Sequence, residues 1–127
     1  MMRAVTSQDL IQIDLTDAER HLIVRGLLDW GGPAHATAAL AVAMGFEGVE
    51  DFHVQVSRLR ASLKAGQPLS PWDWRRALLA TEIVFASDIF GSGYEWSTTT
   101  GLSDEETIRT LRRLQHKLAK QARVHRA

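Results

Sequence analysis

A chain of 127 residues holds one domain and is too short for two of ordinary size. Hydrophobic residues make up 45% and charged residues 24%, the balance of a chain that folds around a core. The 15 Lys+Arg cancel the 15 Asp+Glu, which excludes a chain basic or acidic throughout, and the absence of cysteine excludes disulfides, thiol catalysis and thiolate metal sites.

The chain opens Met1-Met2-Arg3-Ala4-Val5-Thr6, which has no apolar signal core, and no apolar run approaches the ~18 residues of a membrane span. A cytoplasmic protein is therefore expected. Ile11, Ile13 and Leu15 alternate with Gln12 and Asp14, a strand pattern with no second strand to pair with. Residues 1–15 thus read as an extended arm that packs on the body or pairs across a dimer, with 1–8 poorly ordered and Leu10, Ile11, Ile13 and Leu15 in contact.

Thr16-Asp17-Ala18-Glu19 has the spacing of a capping box, in which the Thr hydroxyl and the Glu carboxylate each take an orphan N–H. It starts a first helix with Ala18, Leu22, Ile23, Leu27 and Trp30 at helical spacing, stopped by Gly31-Gly32. Pro33 suits the first turn of a second helix over 34–44, nearly all small and apolar and therefore expected to be buried. The third runs from about Val49 to Ala65 on an a/d stripe of Val49, Phe52, Val56, Leu59 and Leu63. Ser70-Pro71-Trp72-Asp73 starts a fourth, to about Phe90, apolar on most faces and expected at the centre. Residues 91–102 read as a loop. Ser103-Asp104-Glu105-Glu106 is a second capping box, opening a fifth helix with a stripe of Ile108, Leu111, Leu114 and Leu118. The expected fold is all-α: a compact, five-helix, bundle-like single domain over 1–127, with the arm at 1–15 and a basic C-terminal helix over 103–127.

The zero net charge conceals two blocks. Arg109, Arg112, Arg113, Lys117, Lys120, Arg123 and Arg126 give residues 109–127 a charge of +7 with no acid, so the rest carries −7. Such a segment either contacts the acidic remainder, meets a partner, or is a solvated helix end favoured by the macrodipole. Arg109, Arg112, Arg113, His116, Lys120 and Arg123 share the face opposite the leucines, so nucleic-acid binding through Arg109, Arg112, Arg113, Lys120 and Arg123 is one functional reading. The second and third helices have a helix-turn-helix outline, but Glu47, Glu50 and Asp51 would bring carboxylates to phosphates.

Chemistry finds little support. Gly91-Ser92-Gly93 is not a nucleophile elbow, and the acids of the following helix start would repel a phosphate. Glu50-x-x-His53 is a single copy of a motif that metal sites need twice, and Asp17/His21 lacks a third ligand. No catalytic residue, cofactor or metal site is assigned, and whether the protein is an enzyme stays open, with the balance against it. Glu82 sits among Leu78, Leu79, Phe85 and Ala86, so it is expected to be largely buried and bonded to an Arg or to backbone N–H groups.

The preferred reading is a helical protein that binds another protein as an adaptor, regulator or immunity-type protein. Its expected partner site is the 91–102 loop: Tyr94 and Trp96 as aromatic contacts, Ser97, Thr98 and Thr99 as hydroxyl donors, and Asp88 retained at a helix end because the loop bonds it. The alternative for Trp96 is a plug at the end of the bundle. A homodimer and a small-molecule site around Glu82, Asp88 and this loop are further readings.

Overall fold

The computed structural model describes residues 9–32 and 34–122, apart from the Tyr94 side chain. The expectations for residues 1–8, for Pro33 and for Arg123 fall outside the described residues. The helices are α1 (Asp17–Asp29), α2 (Ala38–Ala43), α3 (Val49–Lys64), α4 (Pro71–Ala86), α5 (Trp96–Thr100) and α6 (Asp104–Gln121), with a 3-10 turn at Gly93–Glu95 ahead of α5. They form one all-helical domain around a single apolar core.

The starts lie where side chains can take the orphan N–H groups. Thr16 accepts from the Glu19 N–H while Glu19 accepts from the Thr16 N–H, a complete capping box. Ser70 accepts from the Asp73 N–H with Pro71 in the first turn of α4. Ser103 accepts from the Glu106 N–H, but Glu106 answers to the Ser103 hydroxyl, so the second box closes through side chains.

The arm is anchored rather than free. Ile11 forms an antiparallel bridge with Leu69, the two residues exchanging both backbone bonds at 2.7 and 3.2 Å. Trp74 Nε1 donates to the Ile11 carbonyl, and Ile13 and Leu15 are buried. Leu10 departs from the expected contacts and is 69% exposed.

α1 shares the centre with α4: each packs on the other and on α3 and α6. Its approach to α4 is close because Gly26 faces Thr81, where a Cβ would lie 2.8 Å from Thr81 Cγ2. Gly26→Ala is therefore expected to cost about 1–2 kcal/mol, the overpacking outweighing the gain in helix propensity. Urea unfolding should show most of that loss recovered in Gly26→Ala/Thr81→Ser, which lacks the clashing methyl. An additive double variant would refute the contact.

Three elements differ from expectation. α2 is six residues long rather than a buried helix over 34–44. Thr37 accepts from the Leu40 N–H and so sets the start, while His35 N–H is already committed to the Phe90 carbonyl. Alanine side chains bury little area each and do not compel burial; within α2 itself only Ala41 is enclosed, and Val42 is 59% exposed. α4 stops at Ala86 because Ser87 turns extended and the chain folds back over the last turn. The Ser92 N–H donates to the Val84 carbonyl at 2.6 Å, and Gly91 lies so near that its Cβ would come 2.5 Å from the same oxygen. Gly91 thus permits a helix cap. Finally, residues 91–102 are ordered as the 3-10 turn and α5 rather than as a loop.

In α6 the buried stripe is Thr107, Leu111, Leu114 and Leu118. Ile108, expected in it, is 54% exposed. Thr107 takes the inward position because its hydroxyl is satisfied there: it donates to the Ser103 carbonyl and accepts from Trp96 Nε1.

Candidate functional site

The expected partner site divides on inspection. Trp96 is fully buried, its ring packed edge-on against Phe85 at 5.5 Å and its N–H bonded to Thr107 Oγ1 at 2.8 Å. It is the bundle plug and presents no surface to a partner. Thr99 is also committed: its hydroxyl donates to Asp29 Oδ2 at 3.0 Å, and its carbonyl accepts from Arg25. Ser97, Thr98 and Asp88 are exposed, and the Tyr94 side chain is outside the described residues. Asp88 and Ser97 face a cleft of about 700 Å³ between the end of α4 and the start of α6, opposite Asp104. No loop group among the described residues bonds Asp88, so the expected reason for its position does not hold.

Glu82 is half-buried rather than enclosed, and its partner is Gln115 Nε2, not an Arg. α6 stands beside α4 at this point, so the carboxylate meets an amide at the seam. The enclosed carboxylates are instead Asp29 and Glu19. Asp29 accepts from Ser92 and Thr99, with Arg25 Nε at 3.7 Å, which ties the end of α1 to the 91–100 segment. Glu19 pairs with Lys117 at 2.6 Å. Both are structural ties between elements distant in sequence. A small-molecule site joining Glu82 to Asp88 gains no support, since the two border different cavities.

The feature that sequence reasoning missed is the outer face of α4. Trp72 is 45% exposed and Leu79 36%. With Met44 and Ala43 from the end of α2 they border a groove of about 320 Å³, and Val42 stands exposed on the same short helix. Arg76 holds the groove in shape: its guanidinium lies 4.5 Å from the centre of the Phe46 ring, donates to the Gly45 carbonyl and pairs with Asp73 at 2.7 Å. Burial pushes the Asp73 carboxyl up, but bonds and charges from Arg58 and Arg76 outweigh it and hold it below its ordinary value. Arg75, also at the groove, is exposed and meets no acid among the described residues. The signal was present: the fourth helix is apolar on most faces, and a helix of that kind has more apolar surface than one packed side can cover.

The basic residues of α6 are largely unpartnered by acids. Arg109, Arg112, Arg113 and Lys120 are exposed, and among the described residues only Arg109 of these approaches a carboxylate, Glu105 at 3.9 Å on the same helix. Lys117 is the exception, drawn into the body by Glu19 and the Asp14 carbonyl. Among the described residues no three His, Asp or Glu side chains gather as a metal site, and no helix is long and apolar enough to cross a membrane.

Comparison with known proteins returns no match: no family model fits the chain, and no curated protein or solved structure is significantly similar.

Proposed function

We propose that this protein is a non-catalytic binding module, an adaptor, regulator or immunity-type protein, that docks a partner protein on the face formed by α2 and the outer side of α4. The observation that carries this reading is the uncovered apolar surface of Trp72 and Leu79 lining a groove of about 320 Å³, with Val42 exposed one residue before the lining Ala43. Contiguous apolar surface rimmed by polar groups marks interaction sites, and Trp is enriched among the residues that dominate binding energy.

Trp72, Arg75, Arg76, Leu79 and Glu82 line the groove at three- and four-residue steps along α4, a run that suits the apolar side of a helix laid against it. Among the described residues Arg75 at the groove forms no ion pair, so the complementary helix carries a carboxylate beside its apolar anchors to meet it. Of the groups of the expected loop site that remain exposed, Ser97 and Asp88 border a separate cleft rather than this groove. A cytoplasmic location belongs to the same proposal.

Selection of displayed helical peptides against the full chain tests it. Enriched sequences should combine i, i+3/i+4 apolar anchors with an acidic residue. Binding should fall at least tenfold on Val42→Asp and on Arg75→Glu, both exposed positions where the change in stability should stay within about 0.5 kcal/mol. Enrichment that both variants retain would overturn the site, as would a selection that yields no binder. Self-association of the unmodified chain that Val42→Asp abolishes would assign the face to a second copy instead.

A further inference from the structure

We propose that the outer face of α6 is a second, independent surface that binds the phosphate backbone of duplex nucleic acid without reading its sequence. The buried residues Thr107, Leu111, Leu114 and Leu118 fix which side of the helix is inward. At about 100° per residue, Arg109, Arg112, Arg113, His116 and Lys120 then fall together on the opposite side, and each is exposed. From Arg109 to Lys120 the stripe is about 16 Å long at about 1.5 Å per residue. A duplex presents a phosphate charge about every 1.7 Å of its axis, so a straight stripe of this length always has several within reach.

The intramolecular use of this charge is limited. The acids of the domain take Lys117, through Glu19, and the weak contact of Arg109 with Glu105. Arg112 and Arg113 are held toward neutral side chains of their own helix, Gln115 and Thr110, and no acid among the described residues compensates their charge. Three of the cations are arginines, whose planar fork matches a phosphate in two-point contact.

Other polyanionic surfaces fit less well. Apart from Ile108, the large apolar side chains of α6 are spent on the core, so the helix has no apolar face to insert at a lipid interface. His116 is the stripe's one ring and no Phe, Tyr or Trp lies beside it, so successive unpaired bases have no platform to stack on, which points to duplex rather than single strand. It also lacks the buried apolar anchors on which protein interfaces depend.

The test is fluorescence anisotropy of the full chain with a random-sequence 20-base-pair duplex between 50 and 200 mM salt. Four phosphate contacts predict that affinity falls about 100-fold over that range. Arg112→Gln/Arg113→Gln removes two contacts and should reduce the fall to about 10-fold, with an unchanged urea midpoint showing that the fold is intact. Absence of binding at 50 mM salt overturns the proposal, and so does a salt dependence that the double variant leaves as it was. Phosphatidylserine vesicles or poly-glutamate are the controls. Binding of either as tight as the duplex at equal charge would overturn the assignment to nucleic acid. The apolar face of α2 and α4 is untouched by these variants, so peptide binding there should survive them whichever way the duplex experiment falls.

Discussion

Trp96→Ala should cost about 4 kcal/mol of folding stability, the largest loss expected of any single substitution here. The ring is wholly enclosed, packed against Phe85 on one side, and its N–H satisfies the hydroxyl of buried Thr107. Truncation opens a cavity at the end of the bundle and leaves that hydroxyl an acceptor without its donor. Trp96→Phe keeps most of the apolar volume and loses the bond, so about half of the cost should return. The Thr107 hydroxyl still donates to the Ser103 carbonyl, which limits the damage in the Phe variant. Urea unfolding of the two variants reads both numbers. A loss below about 1 kcal/mol for Trp96→Ala would be that of an exposed residue and would return Trp96 to the partner-facing role.

The same residue shows what the sequence conveyed about this region. The tyrosine, tryptophan and hydroxyl groups between Gly91 and Leu102 look alike whether they face a partner or the core. Composition does not distinguish a Thr that donates outward from Thr99, which donates to Asp29 seventy residues earlier. Long-range pairing decides between the two, and single-residue pattern carries no trace of it. The helix starts at Thr16, Ser70 and Ser103 were legible because the capping chemistry is local: the donor and acceptor are three residues apart. So was most of the stripe of α3, where Phe52, Val56, Leu59 and Leu63 are buried and Val49 at its start is half-buried.

The misjudged faces share one physical origin. Hydrophobicity says that a side chain gains by burial, not that the fold has room for it. Val42, Trp72 and Ile108 are apolar and stay open, while Thr107 and Thr81 are polar and fully enclosed because their hydroxyls find backbone carbonyls one turn back. Glu82 and Glu19 differ in burial for the same reason. Glu82 has apolar neighbours along its own helix but meets Gln115 at a seam between helices. Glu19 looks like a solvated cap residue, yet α6 closes over it.

Lys117→Met should therefore cost about 3 kcal/mol at neutral pH, because it leaves the Glu19 carboxylate enclosed without its cation. Lys117 Nζ lies 2.6 Å from Glu19 Oε1 and 2.8 Å from the Asp14 carbonyl, so it joins α6 to both the arm and α1. Glu19 is 2% exposed at its side chain; Lys117 at 24% keeps some contact with water, which places the cost at the lower end for a buried pair. Burial raises the Glu19 pKa, but the bonds from Lys117 and the Thr16 N–H and the Lys117 charge outweigh it and leave the group below its ordinary value of 4.5. A carboxyl whose folded pKa lies below its unfolded one stabilises fully above the unfolded value and loses that contribution as pH falls through the folded value. In Lys117→Met burial dominates, the folded pKa rises above the unfolded one, and acid now relieves the variant rather than harming it. The stability gap between wild type and variant should thus narrow as pH drops from 7 to below 4.5. Glu19→Gln in the Lys117→Met background removes the stranded charge while keeping an acceptor for the Thr16 N–H, so it should recover part of the loss at pH 7 and none at low pH. A gap that stays constant across this range, or a double variant no more stable than Lys117→Met at pH 7, would show that the pair does not hold α6 to α1.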